Sequence, residues 1–78
     1  MDINIYKTRD LAESAALLIK NQRLIHFERI GKICWFYFED KTKCAAISNE
    51  YFFGSLLVDA REYHQAITRL KNRIFAGV

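Results

Sequence analysis

Six consecutive apolar residues at positions 33–38, with the sequence ICWFYF, constrain this chain more than any other feature. A strand points alternate side chains to opposite faces, so an apolar run without polar alternation predicts a strand that is buried on both faces. A single layer of helices can hardly cover both sides of a sheet in a chain of 78 residues. We therefore expect either that the chain wraps around this strand or that a partner covers one face.

The length predicts one domain that spans residues 1–78. A hydrophobic content of 51% favours an ordered domain over a disordered chain. The sequence shows neither a signal peptide nor an apolar segment near the roughly 20 residues that cross a bilayer. We therefore expect a cytoplasmic protein that does not contact membranes.

The hydrophobic periodicities predict an α+β domain with the element order β-α-β-β-α-α, in which helices pack on a small, three-stranded, mainly antiparallel sheet. Strands are predicted at residues 3–6, 24–28 and 32–39. The first helix is predicted to begin after Thr8 as its N-cap and to end near Asn21. The hairpin of the second and third strands forms the centre, but the patterns leave the order of the strands open.

Two further helices are predicted in the second half of the chain. Residues 44–53 fit either a strand or a helix, and the stretch that leads into Gly54 favours the helix. Asp59 and Glu62 have the spacing of a capping box, which predicts the start of the last helix. The apolar stripe of that helix consists of Tyr63, Ala66, Ile67, Leu70 and Ile74.

Several short patterns together resemble a known domain family. They are Asp10-Leu11 at a helix start, Phe36-x-Phe38-x-Asp40, Tyr51-x-x-Gly54-x-Leu56-Leu57-Val58-Asp59-Ala60-Arg61, Tyr63-x-x-Ala66 and Leu70-Lys71. The family is a short, uncharacterised domain of unknown function from bacteria, archaea and phages, and the resemblance spans about residues 5–75. It implies the fold and an association with phage or mobile DNA. Because the family has no assigned activity, the resemblance transfers no functional residue.

No motif in the sequence indicates catalysis or a bound cofactor. There is no glycine-rich phosphate loop, and the serines have no catalytic context. Cys34, Cys44, His26 and His64 lack the spacing of a zinc site. We therefore predict that the protein is not an enzyme and holds no metal, cofactor or small-molecule substrate.

Two patterns raise nucleic-acid binding as an alternative. The aromatic strand loosely resembles the base-stacking strand of RNA-recognition motifs, but the predicted last helix stands where that fold needs a fourth strand, so core packing is the preferred interpretation. The net charge is +3, and residues 41–78 carry the whole excess. Possible phosphate contacts on the last helix are Arg61, Arg69, Lys71 and Arg73. At about 100° per residue these cations diverge, so the pattern supports at most weak binding.

Four apolar residues fit no predicted core stripe and indicate a protein interface. Leu17 lies off the stripe of the first helix, and Phe75 lies off that of the last. Trp35 and Tyr37 could remain open on one face of the sheet, and such side chains suit binding surfaces. The sequence therefore predicts a small, non-catalytic interaction module that either forms a homodimer or binds another protein.

Overall fold

The strands and helices follow one another in the predicted order, in a computed structural model that describes residues 4–76. The strands are β1 (Ile5–Thr8), β2 (Leu24–Ile30) and β3 (Ile33–Glu39), and the helices are α1 (Leu11–Ile19), α2 (Lys41–Phe52) and α3 (Ala60–Ala76). The predicted α+β class is confirmed, as is the helical interpretation of residues 44–53. The first strand was predicted to begin at Ile3, which lies outside the described residues.

The aromatic strand β3 lies at the centre of the sheet, whose strand order is β1-β3-β2. Both neighbours run antiparallel to it, so β1 and β2 are parallel to each other and α1 connects them across β3. This is a split βαβ unit. The register pairs Tyr6 with Phe38 on one side and Phe27 with Phe36 on the other, so these side chains share one face, the inner face.

Local backbone geometry explains where two of the elements end. Gly31 and Lys32 form a two-residue turn between Ile30 and Ile33, and Gly31 has φ of +62°. A positive φ at the first central residue is what a type II′ hairpin turn requires. Asn21 follows α1 with φ of +68°, as the sequence predicted for the end of that helix.

The core fills the space between the inner face of the sheet and the three helices. Phe36 and Phe38 supply the two largest fully buried side chains. The helical layer contributes Ala15, Leu17, Cys44, Ala66 and Leu70. Burial of each phenylalanine stabilises the fold by roughly 1.5–3 kcal/mol, which makes the central strand the main apolar anchor of the domain.

Helix α1 is surrounded by other elements, which overturns the expectation that Leu17 lines an interface. Five consecutive residues from Glu13 to Leu17 are buried, and at 3.6 residues per turn they extend around the whole helix. α1 packs against both α2 and α3 as well as lying over the sheet. Leu17 is 0% exposed. The prediction that Leu17 is exposed was wrong, because it assumed that only one side of the helix is covered.

Aspartates begin all three helices. Asp10, rather than the predicted Thr8, caps α1 by accepting a hydrogen bond from the backbone N–H of Glu13 at 3.0 Å. Asp40 accepts from the backbone N–H of Lys43 in the same way at the start of α2. At the start of α3, the Asp59 carboxylate accepts from the N–H of Glu62 at 2.9 Å, which is the first half of the predicted capping box.

The second face of the sheet, the outer face, is not covered by the described residues. The core draws on inner-face side chains and all three helices, while the alternate residues of β3 are partly or largely exposed. The expectation that the chain itself wraps around β3 is therefore wrong for residues 4–76. The three helices pack in one shared layer on the inner face, so none of them covers the other side. Cover by a partner stays a prediction.

Candidate functional site

The outer face combines apolar side chains with a few charges on three hydrogen-bonded strands. Its members alternate with the core residues along each strand, apart from a register irregularity between Leu24 and His26 on β2. They are Ile5 and Lys7 on β1, His26, Glu28 and Ile30 on β2, and Ile33, Trp35, Tyr37 and Glu39 on β3. A sheet holds such residues in fixed positions, which lowers the entropy that binding costs.

Contacts between neighbouring strands order the centre of the outer face. The ammonium of Lys7 lies 4.6 Å from the ring centroid of Trp35 and 5.4 Å from that of Tyr37, within the range of cation–π attraction. The His26 ring lies 5.2 Å from the Tyr37 ring, centroid to centroid. The Tyr37 hydroxyl donates a hydrogen bond of 3.0 Å to Glu28 Oε1. The two aromatic rings are thus half-buried, although none of the described helices or strands lies above them.

The outer face carries charges of both signs. Lys7 lies on β1, while the carboxylates of Glu28 and Glu39 lie on β2 and β3, and Glu39 also lies 3.8 Å from Arg23. A surface that stacks bases needs cations nearby to neutralise phosphates. This mixture of aromatic, aliphatic and oppositely charged groups is instead typical of a protein-binding surface.

The other residues predicted for an interface lie elsewhere. Phe75 is 71% exposed on α3, a helix whose other apolar residues pack against the core. The four basic residues of α3 are all exposed, but their surroundings differ. The guanidinium carbon of Arg73 lies 5.8 Å from the ring centroid of Phe27, and Arg69 lines a groove between α1 and α3 together with Glu62. The basic residues therefore do not converge on one site.

A second apolar surface, which the sequence analysis missed, lies where α2 ends. This helix-end patch consists of Phe52, Phe53, Leu57 and Val58, and Phe53 and Leu57 are 85% and 84% exposed. Consecutive residues of a helix point about 100° apart, so Tyr51, Phe52 and Phe53 cannot all face the core. The three consecutive aromatic residues at 51–53 were therefore a sequence signal for this patch.

A buried polar network ties α1 to β1. The Glu13 carboxylate accepts hydrogen bonds from the Tyr6 hydroxyl at 2.5 Å and from Thr8 Oγ1 at 2.6 Å. Burial raises the pKa of Tyr6, the hydrogen bond to Glu13 raises it further, and a hydrogen bond from Ser48 opposes both. Each member has a partner within the fold, so we assign this network to stability rather than to catalysis.

Both cysteines are free thiols, and Cys44 is fully buried. Its Sγ donates to the carbonyl oxygen of Glu39 at 3.3 Å. Burial raises the pKa of Cys44 to about 11, with smaller contributions from the charges of Asp40 and Glu13. A thiol that stays protonated is a poor nucleophile and a poor metal ligand. Among residues 4–76, no group of three or more His, Cys, Asp and Glu side chains is placed to hold a metal ion.

The raised pKa of Cys44 predicts a loss of stability at alkaline pH. The folded chain keeps the thiol proton that the unfolded chain loses, so the free energy of unfolding falls as the pH rises from 9 towards 11. Between pH 8 and pH 10 this thiol should account for about 1 kcal/mol. Urea denaturation at both pH values should show a smaller alkaline loss in Cys44→Ala than in the wild type. An equal loss in both proteins, with Cys34→Ala as the control, would contradict the prediction.

A cleft of about 270 Å³ lies between α1, the end of α2, α3 and the segment that joins α2 to α3, and it is lined by Ala16, Tyr51, Leu56, Val58 and Tyr63. The Tyr63 hydroxyl is already engaged, since it donates to the carbonyl oxygen of Ala12 at 3.1 Å.

None of the helices formed by residues 4–76 has the length and apolarity needed to cross a bilayer.

Comparisons with models of protein families, with curated proteins and with solved structures find no match for this chain. The resemblance to the uncharacterised domain family, and the link to phage or mobile DNA that it implies, therefore stay predictions.

Proposed function

We propose that this domain is a non-catalytic interaction module that binds protein through the outer face of its sheet, and that it self-associates there. One observation carries the proposal. Trp35 and Tyr37 alternate with the most buried residues of the central strand, yet no described helix packs over them. Large aromatic side chains at the centre of a rigid sheet, with charged residues on the flanking strands, resemble the energetic centre of a protein interface.

The dimensions of the outer face indicate a weak complex. Strands of 4, 7 and 7 residues, with about 3.4 Å of rise per residue and about 4.8 Å between strands, make a face of about 300 Å². Standard interfaces bury about 800 Å² of accessible surface on each partner. The outer face is small by comparison, even though its protruding side chains add accessible surface to the flat area. We therefore expect a dissociation constant of tens of micromolar or weaker.

The weight-average mass of the wild-type protein should rise with concentration. Sedimentation equilibrium between about 10 µM and 1 mM brackets the expected range of affinity. Trp35→Ala should weaken association by about thirtyfold or more, because truncation of a central aromatic in an interface costs about 2 kcal/mol or more. The folding of the variant is checked by circular dichroism and by urea denaturation.

The matched control is Phe53→Ala in the helix-end patch, which removes another exposed aromatic and should leave association unchanged. The opposite result, in which Phe53→Ala abolishes association and Trp35→Ala does not, would move the interface to the helix-end patch. A wild-type protein that remains monomeric at 1 mM would remove self-association from the proposal.

Weak nucleic-acid binding by α3 is the second candidate. It is supported by the exposure of Arg61, Arg69, Lys71 and Arg73, and it is weakened by their divergence. Binding to duplex DNA of random sequence should fall steeply with salt if several phosphates are contacted. The absence of binding at low salt would eliminate this candidate.

A further inference from the structure

The outer face carries opposite charges on its two edge strands. Lys7 on β1 lies beside Tyr37, and His26 on β2 lies beside the same residue from the other side. Glu28 follows two residues later on β2, beside Trp35. The face therefore has a cation at one lateral edge and an anion at the other, with the aromatic rings between them.

This arrangement is complementary to itself under one particular rotation. A two-fold axis that runs parallel to β3, between two facing sheets, places β1 of each copy over β2 of the other. Aligned sheet packing of this kind keeps facing strands within about 30° and about 10 Å apart. The other in-plane axis, perpendicular to β3, would place β1 over β1 and β2 over β2, so that edges carrying the same charge face each other.

We infer that the occupant of the outer face is a second copy of this chain, related by the two-fold axis along β3, and that Lys7 of each copy pairs with Glu28 of the other. This inference rests on the proposed function, since it specifies the partner and its orientation. Each such dimer contains two equivalent Lys7–Glu28 pairs, as an isologous interface requires. The Trp35 and Tyr37 rings of the two copies meet at the axis.

Both charged groups are already ordered in the free chain. The Lys7 ammonium lies over the rings of Trp35 and Tyr37, and the Glu28 carboxylate accepts the hydrogen bond of the Tyr37 hydroxyl. Less side-chain freedom is therefore lost when they pair across the interface. Lys7 and His26 both pair with Tyr37, so Lys7 of the facing copy lies opposite His26. Its side chain reaches past His26 to the carboxylate of Glu28, two residues further along β2.

Charge reversal provides a sharp test. Lys7→Glu creates two Glu–Glu pairs in its own dimer, and Glu28→Lys creates two Lys–Lys pairs, so each variant alone should associate about tenfold or more weakly than the wild type. In a one-to-one mixture, the heterodimer of the two variants regains two pairs of opposite charge. Sedimentation equilibrium should show the mixture associating to within a few fold of the wild type.

The control uses the same reversals off the sheet, Lys41→Glu and Glu50→Lys on α2, which are both exposed. These variants should associate like the wild type, alone and mixed. If the wild type associates and the reversals at positions 7 and 28 change nothing, the orientation is wrong while the proposed function survives. Loss of association without recovery in the mixture also overturns the pairing. A monomeric wild type overturns this inference and removes self-association from the proposed function.

Discussion

Replacing Phe38 by alanine is expected to remove about 3–5 kcal/mol from the free energy of unfolding. Phe38 is 0% exposed and lies on the central strand, where it contacts the core formed with the helices. The substitution removes buried apolar surface and leaves a cavity that the flanking strands prevent from collapsing. At about 0.05–0.15 kcal/mol per residue the whole domain has about 4–12 kcal/mol, so this one side chain accounts for about a quarter of the stability or more.

Urea denaturation followed by far-UV circular dichroism measures the effect. Phe53→Ala removes the same side chain from a site that is 85% exposed, and it should change the free energy of unfolding by less than about 0.5 kcal/mol. A loss of less than about 1 kcal/mol in Phe38→Ala would show that the inner face of β3 does not anchor the core.

Glu13→Ala is expected to cost about 2–4 kcal/mol, although a charge is removed from the interior of a small protein. Glu13 is 3% exposed, and its carboxylate accepts two short hydrogen bonds, from the hydroxyls of Tyr6 and Thr8. Without the carboxylate, both hydroxyls lose their acceptor, and burial of an unpaired donor costs about 1–3 kcal/mol. The cavity left by the side chain adds to this cost.

A double-mutant cycle separates the hydrogen bonds from the packing. Glu13→Gln keeps the volume, and Tyr6→Phe removes a single hydroxyl, so the coupling energy between the two substitutions reports their interaction. We expect about 1–2 kcal/mol, as for hydrogen bonds to charged groups. Glu62→Gln, on the exposed face of α3, serves as the control. Additive effects of the two substitutions would mean that the network does not act as a unit.

Local patterns in the sequence correctly predicted most of the elements. The stripe of α3 and the aspartate that caps it are contained in a few consecutive residues. The end of α1 at Asn21 and the tight turn at Gly31 also depend on the conformational freedom of single residues. Such features can be predicted from the sequence because the residues that cause them lie within a few positions of one another.

The burial of α1 could not be predicted from local sequence. Leu17 looks like a surface residue when α1 is treated as a helix with one covered side, but α2 and α3 flank it. Thr8 looks like an N-cap, yet its hydroxyl donates to Glu13, and Asp10 caps the helix instead. Both errors arise because contacts with distant parts of the chain changed the role of a residue whose neighbours in sequence suggested another.

The apolar run of residues 33–38, read alone, established that a strand with two apolar faces lies at the heart of this protein, because alternation of side chains is a property of the strand itself. Which of those faces the chain covers was decided by the tertiary structure. The three helices share one layer, where their apolar surfaces satisfy one another and the inner side of the sheet. Trp35 and Tyr37 are left on the open side, and their exposure is the basis of the proposed function.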